Sequence, residues 1–267
     1  MIEALALIDD EAIVLDEAAL ALAALDRHQP DTSPYAHRIA YIAAQLLVRA
    51  PGILTSAARA QALRDLIAGE HAITGDDSSF ADEAGADLMH VLDRKRGLPV
   101  TLSLLYVAVA RKVGWRAACI GVPGHVLVRM GDEPGCVHQD PFDDGRVLDE
   151  GALRHLLARI LGRGARPDPA YLAPMSNRAT LVRLLTNQAV RARRAGELER
   201  ALVLYERMTA FAPGQPNLWW ERARIEQQLD RPGAARTSLA AMLETTRDPA
   251  LVGRITAMLR ALARQTG

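Results

Sequence analysis

Cysteine is nearly absent from this chain: 267 residues hold only Cys119 and Cys136. Two thiols exclude a disulfide framework, and neither stands in the CxxC spacing of a structural zinc site. Lysine is as scarce, with Lys95 and Lys112 alone, so arginine carries nearly all the positive charge. An arginine-rich stretch is therefore a compositional habit here and no argument for nucleic-acid binding. Aromatic residues make up 4%, which leaves the core to Ala, Leu and Val. No uncharged apolar run approaches the ~20 residues of a membrane span. The opening MIEALALIDDEAIVLDEAALALAALDR carries acidic residues where a secretory or mitochondrial leader would carry basic ones. A cytoplasmic protein with reduced thiols, and no membrane, is the expectation.

What is there is ordinary for a globular chain: 49% hydrophobic and 24% charged residues, enough for one large domain or two modest ones. The net charge is zero, but from Asp168 onward 15 Arg face 9 Asp and Glu. A basic rear half could pack on an acidic front half or attract an acidic partner. Solvated helix faces are the simpler source of the same imbalance.

Apolar spacing reads as amphipathic helices over 3–27, 35–50 and 55–71, the last ending in the polar stretch TGDDSSFADEAG. A short helix around 86–93 leads into RKRG. The next segment, LPVTLSLLYVAVARKVG, holds Pro99, suited to a first helical turn, and Gly114, suited to a left-handed closing residue. With few charges between them, this helix should be central and buried on most sides. Three β-like runs follow, WRAACIGV, HVLVRM and CVHQDPF, separated by turn signals, and they predict adjacent antiparallel strands. Residues 149–162 return to helix, and RGARPDP reads as a linker.

From Leu181 the chain is helical and repeats itself. A shift of 34 residues superposes Leu185 on Trp219, Ala189 on Ala223, Ala201 on Ala235, Tyr205 on Leu239 and Met208 on Met242. Small residues let paired helices approach closely, and this period is that of tetratricopeptide repeats. The predicted organisation is a helical preface and α+β core over 1–165, then an all-α tail over 166–267. The tail's repeats are 181–214 and 215–248, followed by a capping helix.

The block LDRKRGLPVTLSLLYVAVARKVGW, then GVPGHVLVR and QDPFDDGRVL, resembles the SirB-type bacterial family of transglutaminase-like proteins, which carry tetratricopeptide repeats behind that domain. The resemblance implies a papain-like core of a buried helix and a small antiparallel sheet. It makes His125 the imidazole of a triad and Asp140 the carboxylate that orients it. It also implies a cysteine at the start of the buried helix, where the N-terminal N–H groups would lower a thiol pKa. The first turn holds Pro99, Val100, Thr101, Leu102 and Ser103, with no cysteine.

Two functions follow. The first is a non-catalytic transglutaminase-like scaffold that binds a protein or peptide partner through its repeats, without cofactor or metal. In it His125 is vestigial, a ligand group, or a core histidine tying two strands through Asp140. The alternative is a hydrolase or acyltransferase in which Thr101 or Ser103 attacks with His125 as base. Cys119 reads as a core residue in an apolar run. Cys136, His138 and Asp140 share one strand face by alternation alone, without metal-site spacing. Asp143, Asp144 and Arg146 read as turn residues, and Trp219 and Trp220 as one packing and one partner-facing residue.

Overall fold

A computed structural model describes residues 2–27, 30–76, 86–162 and 169–265. Most of the polar stretch 74–85 and of the expected linker 163–169 lies outside the described residues. Two units make up the chain: Asp10–Leu181, and Met1–Asp9 together with Val182–Gly267.

Helix α1 (Ile2–Leu7) belongs to the second unit, and a single 3-10 turn at Asp10–Ala12 separates it from α2 (Leu15–Ala24). The continuous helix expected over 3–27 is thus broken, and Asp10 is the reason. Its two carboxylate oxygens accept the backbone N–H groups of Asn177 and Arg178, both at 2.8 Å, while Asn177 Nδ2 donates to the carbonyls of Asp10 and Ile13. The carboxylate caps a helix that begins far downstream, and the 3-10 turn is where the chain presents it.

Helices α3 (Ser33–Arg49) and α4 (Ser56–Arg64) follow, the latter continuing as a π-turn over Asp65–Glu70. Two-residue strands β1 (Thr74–Gly75) and β2 (Arg96–Gly97) pair in parallel on either side of α5 (Leu88–Arg94). Helix α6 (Pro99–Lys112) starts with its proline in the first turn, and Gly114 takes φ +77° just past its end. Every residue from Pro99 to Ala110 is buried. The helix packs on α2, α3 and α5 and against the two strands that come next.

Those strands are β3 (Ala117–Val122) and β4 (His125–Met130), continued by β5 (Val137–Asp140) and β6 (Arg146–Leu148) into a four-stranded antiparallel sheet in sequence order. The fourth strand, beyond the three that alternation predicts, has three residues and one buried side chain, too short to leave a periodic signal. Helix α7 (Glu150–Leu161), whose Asp149 cap accepts from Ala152 N, lays Leu153, Leu156 and Leu157 against Ile120, Val122 and Leu127.

The rest is helical: α8 (Asn177–Arg194), α9 (Leu198–Phe211), α10 (Pro216–Gln228), α11 (Pro232–Thr245) and α12 (Pro249–Gln265). The 34-residue period corresponds to packing. Of the five superposed pairs, all residues are buried except Trp219, which is half-buried with its indole N–H donating to Pro213 O. Trp220 is half-buried as well, so neither tryptophan is wholly core or wholly surface. Helix α1 packs on α9 in this unit. The class is α+β with a helical repeat tail.

Candidate functional site

The β3–β4 hairpin turns through Pro123 and Gly124, the latter at φ +74°, and so places His125 first on β4, opposite Val122. The β4–β5 register, Val128 opposite Gln139, carries Asp140 at the end of β5 toward the His125 end of β4. The two sequence candidates are thereby brought together: His125 Nε2 lies 3.0 and 2.9 Å from the two oxygens of Asp140. Their side chains are only 11% and 6% exposed, so water screens the contact poorly. With Nε2–H donated to the carboxylate, Nδ1 holds the lone pair of the neutral ring.

Asp140 is itself held. Its Oδ1 accepts Phe142 N at 3.0 Å and, more weakly, Asp143 N at 3.4 Å, closing a turn at the end of the strand. The Phe142 ring meets the imidazole edge-on, with centroids 6.0 Å apart. Behind it stands Gly75, where a Cβ would overlap the Phe142 carbonyl and ring. Only glycine lets β1 come this close.

The pair faces a cavity of about 400 Å³ whose walls include Asp76, Asp144, Arg146, Leu156 and Arg159. Asp143 pairs with Arg146 at 3.0 Å, and Arg159 has no ion-pair partner among the described residues. Sequence reasoning missed Arg159, on α7, and Gly75, inside a stretch that reads as loop. Asp143, Asp144 and Arg146 are turn residues that also line the site.

The hydroxyl candidates sit deeper. Thr101 and Ser103 are both fully buried in the first turns of α6. Ser103 Oγ donates to the carbonyl of Val126 at 3.1 Å, tying α6 to β4 one residue beyond His125. Cys119 opposes Val128 on β3, is 1% exposed, and burial pushes its thiol up to about 12. Cys136 donates to Glu133 Oε1 at 2.9 Å, and desolvation together with that neighbour raises its pKa. His138 is lowered by burial. Among the described residues no group of three or more His, Cys, Asp or Glu is arranged to hold a metal ion, and no helix is long and apolar enough to cross a membrane.

A buried helix, a sheet bearing a bonded His–Asp pair and a cavity before it suit one superfamily, and residues 33–186 match the transglutaminase-like superfamily. The chain belongs to it. Residues 189–260 match the tetratricopeptide repeat. A UPF0162 protein of Pseudomonas aeruginosa is 32% identical over 240 residues, covering 88% of this chain and 86% of that protein. A UPF0162 protein of Xylella fastidiosa is 28% identical over 244 residues, 90% of this chain and 86% of its own. A Vibrio cholerae UPF0162 protein is 28% identical over 175 residues, 64% of each. No solved structure matches.

Proposed function

We propose that the chain is a SirB-type, non-catalytic member of the superfamily, a bacterial cytoplasmic scaffold whose repeat tail holds a protein or peptide partner. The observation that carries this reading is where the sulfurs lie. A thiol nucleophile acts as thiolate beside a general base. Cys119 is enclosed in the sheet with its pKa pushed up to about 12, and Cys136 bonds a carboxylate that opposes ionisation. Ser103 directs its proton at a backbone carbonyl. An imidazole oriented by Asp140 and facing a cavity then serves recognition: Nδ1 accepts a hydrogen bond, or donates one when protonated. Tetratricopeptide repeats generally mediate protein–protein interaction, which supports assigning the partner to the tail.

The rival is a hydrolase or acyltransferase with Thr101 or Ser103 as attacking hydroxyl, His125 as base and Asp140 as its orienting carboxylate. Labelling separates the two. The native protein and its His125→Ala form are treated with a fluorophosphonate and with iodoacetamide, and labelled peptides are mapped. The scaffold reading expects no labelling that depends on His125. Modification of Thr101, Ser103 or a cysteine that disappears in His125→Ala refutes it.

A further inference from the structure

Between α10 and α12 runs a groove of about 430 Å³ with Trp220, Arg224, Gln227, Gln228 and Met258 in its walls. Trp220 and Met258 pack at the edge of the apolar cluster of Ala223, Leu239 and Ile255, so they are fixed from below and open above. The guanidinium of Arg254 lies over the Trp220 ring, 5.2 Å from its centroid. That stacking holds a flexible side chain at the groove with its N–H edge free to donate.

The charge around the groove is unbalanced. Helix α12 brings Arg254 to it and has no acidic residue along Pro249–Gln265. Among the described residues Arg254 makes no ion pair. On α10, Arg224 has Glu221 at 3.1 Å, but the same carboxylate serves Arg193 at 2.6 Å, so one negative charge answers two positive ones. An indole and a thioether flanked by exposed guanidinium groups form an apolar seat with cationic rims.

We propose that this groove binds an acidic peptide segment, one apolar side chain resting on Trp220 and Met258 and its carboxylates paired with Arg224 and Arg254. The inference rests on the reading of the tail as a protein-binding element and names its partner's chemistry. Charge complementarity selects the peptide, since Arg254 without an ion pair and Arg224 with only a shared one suit carboxylates in bidentate geometry. A nucleic-acid strand fits less well: Arg224 in the wall already pairs with Glu221, and the aromatic face that bases would stack on carries Arg254.

The test uses the full chain and short fluorescein-labelled probes read by anisotropy. These are a Glu/Asp/Leu peptide, the same peptide with Lys at the acidic positions, a Ser/Leu peptide and an oligo-dT strand. The Glu/Asp/Leu peptide alone should bind, weakening by about tenfold or more in Arg224→Glu/Arg254→Glu and with rising salt. Arg236→Glu on α11 should leave it within about twofold. Arg254→Gln, which removes charge but keeps a long polar side chain, should weaken it with an unchanged circular dichroism spectrum. Equal or tighter binding of the Lys peptide, the Ser/Leu peptide or oligo-dT overturns the acidic assignment. Acidic-peptide affinity that survives the double reversal overturns the groove while the tail remains a docking element. If none of the three peptides binds, the docking reading falls with it.

Discussion

Replacing Asp140 with alanine tests the centre of the site. The substitution removes the acceptor of His125 Nε2 and of Phe142 N, each within 3.0 Å, and of the weaker Asp143 N contact. At 4% exposure water cannot replace these bonds in place. Hydrogen bonds to a charged group contribute about 1.5–3 kcal/mol each, and non-additivity holds the sum below that of three separate bonds. We expect a loss of about 3 kcal/mol, a drop of roughly 6–12 °C in the melting temperature of a unit this size. Asp140→Asn should cost about 1 kcal/mol, since Oδ1 still accepts from Phe142 N while the amide and imidazole swap donor and acceptor. A double-mutant cycle with His125→Ala should give a coupling of about 1–3 kcal/mol. The assay is thermal and urea unfolding followed by circular dichroism. A shift under about 2 °C in Asp140→Ala, or a coupling near zero, would refute the view that this pair ties the end of β5 to β4.

Gly75→Ala should destabilise by about 1–3 kcal/mol, because the new methyl overlaps backbone as well as ring atoms of Phe142. The imidazole resonances of His125 should move with it in NMR spectra, and an unchanged spectrum counts against the packing described. Iodoacetamide should label Cys136 in the folded protein and Cys119 only after denaturation, because burial keeps the latter protonated and covered. Mass spectrometry of the native protein decides this, and early Cys119 labelling contradicts it. Burial lowers the pKa of both His71 and His138 below the ordinary 6.5. The unfolded chain then binds more protons below that pH, so stability is held above it and declines as pH falls. Replacing both with Gln should flatten the decline in urea midpoints between about pH 6.5 and 5.

What was legible in the sequence, and what was not, divides by the range of the interaction. Helix α6 announces itself through Pro99, Gly114 and a run without charges, since local geometry sets both ends. The tail announces itself because each repeat meets mainly its neighbours, so the packing positions recur every 34 residues. Even His125 and Asp140 stand out, each at the end of a short alternating run. The break before α2 could not be read, because Asp10 leaves the helix for donors 167 and 168 residues away. Gly75 and Arg159 escape for the same reason: each is placed by a segment distant in sequence, Gly75 by Phe142 and Arg159 by the cavity that α7 closes. The nucleophile question has this character too. Ser103 is by type a candidate for attack, yet its hydrogen goes to Val126, 23 residues on, because the strand that presents His125 also offers its next carbonyl to the helix. Contact between α6 and β4 both builds the site and engages the hydroxyl most easily suspected of working there.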